Sequence, residues 1–139
     1  ETSMQLRLLS ATAMAGLALA ACATQTPPAV ASLTGPEWRL EGLLGAPVQG
    51  QSPVTLSFLS EGRAGGAGGC NRYSGSWEQK GEKLTLGKMS STLMACPQPL
   101  MEQEGTYLRA LETAKSYSFA PDGALVIETA QGPLKFRRN

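Results

Sequence analysis

The stretch Arg72-Tyr73-Ser74-Gly75-Ser76-Trp77-Glu78-Gln79-Lys80-Gly81-Glu82-Lys83-Leu84-Thr85-Leu86 decides the fold. Two runs that suit strands, Arg72 to Glu78 and Lys83 to Leu86, flank Lys80-Gly81-Glu82, where the glycine supplies the positive φ of a hairpin turn. Working outward, glycine and proline punctuate the rest of the chain at short intervals. The segments between them, Trp38 to Leu43, Val54 to Phe58, Gly62 to Gly68, Ser116 to Ala120, Ala124 to Glu128 and Pro133 to Arg137, each suit a strand. Pro121-Asp122-Gly123 is a second hairpin turn. Most connections are too short for the crossover that parallel strands need, so the expected architecture is an antiparallel meander.

One segment breaks the pattern. From Pro99 to Ala114, Met101, Gly105, Leu108 and Leu111 recur at helical spacing, with Glu102 and Glu104 near the start and Arg109 toward the end. That is an amphipathic helix with the charge order its dipole favours, and its Met and Leu stripe is expected to pack on the sheet. Pro99 falls in the first turn, where a missing N–H is tolerated. The glycine run Gly65-Gly66-Ala67-Gly68-Gly69 invites a phosphate-cradle reading, but it lacks the lysine and following helix of a P-loop and the acidic residue of a dinucleotide loop. Bulges and close backbone approach in a curved sheet explain it better.

Ahead of this domain, Arg7 precedes an apolar run from Leu8 to Ala18, which closes in Leu19-Ala20-Ala21-Cys22. A basic residue, a short apolar core and small residues before a cysteine read as a lipoprotein signal, with Cys22 carrying the lipid. The run is shorter than the roughly 20 residues that span a bilayer. Residues 1–21 are thus expected to be signal, together with a leading Glu1-Thr2-Ser3 that stands outside the fold reading as a cloning scar would. Residues 22–35 are then a lipidated cysteine and flexible tether, and 36–139 one folded domain. Ala23 stands where an aspartate would favour retention at the inner membrane. The expected location is the cell envelope, on the outer membrane facing the periplasm.

Composition prunes chemistry. There is no histidine, the single aspartate is Asp122, and the net charge is +1. Histidine-based triads, mixed zinc sites and the broad positive field of a nucleic-acid binder are all missing. No catalytic residue, metal or cofactor is assigned, and a non-catalytic protein is expected. Cys70 and Cys96 form an even pair in an oxidising compartment, for which a structural disulfide is the default and a redox pair or two free thiols the alternatives.

Gly69-Cys70-Asn71-Arg72-Tyr73-Ser74-Gly75, Thr92-Leu93-Met94-Ala95-Cys96-Pro97, the segment Met101-Glu102-Gln103-Glu104 with Tyr107, Leu108 and Leu111, and Leu134-Lys135-Phe136 together carry a family resemblance. The chain resembles the META-domain family, which includes HslJ-like heat-shock lipoproteins, over residues 36 to 138; Leu93 departs from it, since many members carry a basic residue there. The resemblance implies an α+β domain, predominantly antiparallel β, as a curled sheet or half-barrel with one packed helix. It also implies association with heat-shock or antibiotic stress, and it supplies no reaction or substrate.

Two functions from different classes follow as expectations. One is a protein-interaction module for an envelope partner, with Leu134 to Arg138 as a candidate free sheet edge, guarded by Lys135, Arg137 and Arg138. The other is a binder of a small apolar ligand or lipid, with Tyr73, Trp77, Met89 and Met94 lining a cavity. Asn71, Arg72 and Tyr73 are the candidate binding residues, Arg72 as an anion contact. The membrane is contacted through the lipid on Cys22, and a monomer is expected.

Overall fold

The computed structural model describes residues 31–139. The signal segment, Cys22 and the tether up to residue 30 lie outside the described residues. In chain order the elements are β1 (Glu37–Leu43), β2 (Ala46–Pro47), β3 (Thr55–Phe58), β4 (Arg63–Ala67), β5 (Arg72–Lys80), β6 (Lys83–Leu86), β7 (Ser90–Ser91), α1 (Gln98–Leu111), β8 (Ala114–Phe119), β9 (Leu125–Thr129) and β10 (Gly132–Arg138).

All ladders between these strands are antiparallel, and the circuit closes. Neighbours run β1, β3, β4, β5, β6, β8, β9, β10, and β10 returns to β1 through the pairs Trp38–Arg138, Arg39–Arg137 and Leu40–Phe136. The result is a closed barrel of eight strands, with β2 appended to β1 and β7 to β5. This corrects the expected curled sheet or half-barrel. Closure follows from the inner faces of the first and last strands, where Trp38 and Leu40 alternate inward opposite Leu134 and Phe136, all buried. Joining those strands pairs both of the edges that an open sheet would leave exposed.

The same closure removes the free edge expected at Leu134 to Arg138. β10 is paired on both sides, to β9 and to β1. Its cations have other tasks: Arg137 bonds Glu41 Oε2 at 2.9 Å and Asp122 Oδ2 at 2.7 Å, and Arg138 lies over the Trp38 ring at 5.6 Å.

The interior is filled by side chains. Trp38, Leu56, Leu84, Leu125, Ile127, Leu134 and Phe136 point inward from the wall with almost no solvent exposure, and Tyr107, Ala110 and Leu111 enter from α1. An eight-stranded barrel is just wide enough for its own side chains to fill, and here they do. The helix begins at Gln98 after Pro97 and places Pro99 in its first turn. Its buried residues are Glu104, Tyr107, Ala110 and Leu111, whereas Met101 is 45% exposed. The expected stripe through Met101 is therefore rotated toward Tyr107, because an aromatic ring and a carboxylate occupy the inward face.

Candidate functional site

The turn between β4 and β5 and the segment between β7 and α1 meet at one junction. Gly68 comes so close to α1 that a Cβ there would lie 2.5 Å from Glu104 Oε2, and only glycine permits that approach. The Glu104 carboxylate is 6% exposed and accepts three hydrogen bonds from the turn: Cys70 N–H at 3.0 Å and Asn71 N–H at 2.6 Å on Oε2, and Asn71 Nδ2 at 2.7 Å on Oε1. Asn71 passes the connection on. Its Oδ1 accepts from Thr92 Oγ1 at 2.9 Å and from Met94 N–H at 2.6 Å. Cys70 and Cys96 are bridged, with Sγ atoms 2.05 Å apart and Cα atoms 6.1 Å apart. One carboxylate, one amide and one disulfide thus tie a turn, a loop and a helix together.

No buried side-chain nitrogen or oxygen among the described residues lacks a hydrogen-bond partner. Glu104 is accordingly engaged at both oxygens by the protein's own donors, an arrangement that positions the backbone of the turn. No group of acidic, cysteine or histidine residues that could hold a metal ion occurs among the described residues.

Tyr73 also turns inward. Its hydroxyl donates to the Thr55 carbonyl at 2.6 Å and accepts from Tyr107 Oη at 2.7 Å, with the rings edge to face at 5.6 Å. Burial pushes both phenols well above their ordinary range. Of the three candidate binding residues, then, Asn71 and Tyr73 spend their side chains inside the protein, and Arg72 alone is exposed. The four residues expected to line a cavity do not converge: Tyr73 and Met89 are core, Trp77 packs edge to face on Phe58 at 5.0 Å, and Met94 is 63% exposed.

What the sequence reading missed is the loop surface above the junction. Leu93 is 95% exposed, and with Met94 and Met101 it rims an open groove of about 290 Å³ floored by Asn71, Thr92 and Gly105. This lies at one end of β3, where Val54 bridges Gly68, whereas the chain enters at the other, where Thr34 bridges Phe58. Glu104 was also missed, although it shares one helical stripe with Tyr107 and Leu111; a carboxylate inside an apolar stripe is the signal that marks it.

These features define a class: a small, closed, antiparallel barrel with a packed interior and one helix stapled across its wall. The chain belongs to the META domain family, whose model matches residues 31–139. Among solved structures it is similar to an NMR structure of a protein from Burkholderia xenovorans, at 28% identity and a TM-score of 0.61, covering 77% of this chain and 83% of that one. A second NMR structure is similar at 28% identity and a TM-score of 0.63, covering 76% and 91% of the two chains. No curated protein matches the chain.

Proposed function

We propose that this META-domain chain is a non-catalytic lipoprotein of the outer membrane, lipidated on Cys22 and facing the periplasm, that works as a stress-related protein-interaction module. The observation that carries the reading is the filled barrel. With Trp38, Tyr107, Phe136 and their neighbours closing the interior, an acyl chain or apolar antibiotic has no room inside, and recognition falls to the surface. Leu93, Met94 and Met101 provide that surface, held in place by the disulfide and by Asn71. They sit at the end of β3 remote from the point where the tether enters, an orientation that suits a partner on the side away from the anchoring membrane.

The test combines three measurements. Native mass spectrometry of the purified protein is expected to give a monomer with no added mass beyond its lipid; an extra mass that disappears on denaturation overturns the filled-barrel reading. Labelled palmitate is expected in the wild type and absent in Cys22→Ala; label retained in that variant overturns the anchor. Leu93→Asp with Met94→Asp is expected to lower heat survival to that of a deletion strain while leaving the Tm unchanged, and wild-type survival would remove the loop from the interaction.

A further inference from the structure

We infer that the outer face of β3, β4, β5 and β7 is a binding trough for a polyhydroxylated anion, of the kind presented by a sugar chain bearing carboxylate or phosphate groups. It adjoins the apolar loop, with Ser91 and Thr92 lining both, but its cations and its serine and glycine row belong to it alone. The register sets its floor. Glu37 pairs with Ser57, Ser57 with Gly65, Gly65 with Ser74 and Ser74 with Ser90, so five strands contribute one residue each to a single row across the wall. From Ser57 to Ser90 this row carries only serine and glycine, and it forms the bottom of an open trough of about 750 Å³.

Cations stand on both banks. Arg63 lies two residues from Gly65 along β4 and Arg72 two residues from Ser74 along β5. Because those strands are antiparallel, with Arg63 opposite Ser76 and Ala67 opposite Arg72, the two arginines flank the row from opposite sides. Their backbones are about 13 Å apart along the strand direction. Lys88, two residues before Ser90, also lines the trough. None of the three makes a salt bridge or a side-chain hydrogen bond to a described residue, in contrast to Arg137, which is bonded to two carboxylates. The one carboxylate lining the trough, Glu37, closes the end of the row and is engaged by Asn139 Nδ2 at 2.7 Å.

The ligand class follows from these groups. One guanidinium on each bank takes carboxylate or phosphate in charge-assisted hydrogen bonds. Between them the uncommitted serine hydroxyls both donate and accept, which matches the hydroxyls of a sugar. The serine and glycine row suits a polyol better than an acyl chain, although Leu59 stands among the lining, and the one aromatic residue there, Tyr73, is buried with its hydroxyl bonded inside, which leaves no exposed ring for a nucleobase to stack on. A three-cation concentration in a chain of net charge +1 is local, so the recognition is of a short segment and not of a long polyanion's field.

The experiment is an NMR titration of the purified, isotope-labelled protein with hexagalacturonate, with neutral maltohexaose as comparison, and flotation with phosphatidylglycerol vesicles against phosphatidylcholine vesicles. Saturable shifts at Gly65, Ser74 and Ser90 with hexagalacturonate alone identify a free sugar chain as the ligand source. Arginine-dependent flotation with phosphatidylglycerol identifies a lipid headgroup. Arg63→Gln with Arg72→Gln should weaken whichever binding occurs by about tenfold or more, since two charge-assisted contacts are lost. Ser74→Leu, which keeps every cation and fills the floor, should weaken it as well while amides of the far wall at Phe136 stay unshifted. No saturable shift and no flotation, equal shifts with maltohexaose, or unchanged affinity in the arginine variant would each overturn the proposal. None of these outcomes bears on the apolar loop, so the two readings fail separately.

Discussion

Glu104 is a single acceptor group on which three donors of the β4–β5 turn depend, and at 6% exposure water cannot replace it. In Glu104→Gln one acceptor oxygen becomes an NH2 facing N–H groups, so the turn loses at least one bond and gains a donor clash. The expected loss is about 2–3 kcal/mol, the range for a charge-assisted hydrogen bond with a buried donor left unmet. Urea unfolding of the oxidised protein measures it, and a change within error would mean that the turn holds its shape without the carboxylate. Tyr73 and Tyr107 make a second residue-scale device. Burial raises both phenols above their ordinary value of 10.0, so the folded protein keeps protons that an unfolded chain releases. The stability they confer is complete below that value and is lost as the pH climbs past it toward their folded values. The chain has three tyrosines, so Tyr117→Phe leaves only these two. In that variant, phenolate absorbance should rise together with loss of sheet structure, in one cooperative step; ionisation of an intact barrel would contradict the burial.

At the scale of elements, local pattern and tertiary demand can be separated. Period-two alternation between turn signals placed eight strands within two residues of their observed ends, because each alternating residue answers to one inner face. β2 and β7 were not legible: each is two residues long, exists only by pairing with a longer neighbour, and carries no alternation of its own. The helix was legible in kind and misread in rotation. Counting only aliphatic residues put Met101 in the core and overlooked Tyr107, whose hydroxyl is satisfied inside by Tyr73. Met101 discriminates the registers, with Leu111, which is common to both, as the reference. Leu111→Ala should cost about 2–5 kcal/mol, as for a buried leucine leaving a cavity, whereas Met101→Ser on the exposed side should stay within about 0.5 kcal/mol. Equal penalties in denaturant unfolding would restore the aliphatic stripe. The candidate site shows the same division. The pairing of the two cysteines could be reasoned from compartment and count, but the inward turn of Asn71 depends on a helix more than thirty residues downstream, and no local pattern reports that.

Closure is a property of the whole molecule, which is why no segment announced it: β1 and β10 stand at the two ends of the described chain, and their fit appears only when their inner faces are set side by side. The barrel is not equally strong around its circumference. β10 pairs with β1 at five positions and with β9 at five, whereas β6 and β8 share the single pair Lys83–Ser116. Tyr117 N–H adds one bond to the Glu82 carbonyl at 3.0 Å, and the Gln79 amide reaches the Tyr117 hydroxyl. Along the rest of that joint, β7 pairs only with β5, and the chain enters β8 from α1. The helix end is pinned where Glu112 Oε1 accepts Met89 N–H at 2.8 Å, and its middle where Glu104 clasps the turn. A joint with few ladder bonds opens at lower free energy than one with many, since opening exposes less and breaks less. Native-state hydrogen exchange should therefore find the amide of Tyr117 exchanging through local opening with little denaturant dependence. The amides of the β1–β10 ladder, at the Arg39–Arg137 pair, should exchange only with global unfolding and with its full denaturant slope. Reducing the Cys70–Cys96 bridge should widen the gap, because the loop leading into α1 then loses its fixed end while the opposite wall is untouched. Equal slopes on both sides would mean that helix and strands form one cooperative wall, and that the side of the barrel crossed by α1 is as closed as the side made only of sheet.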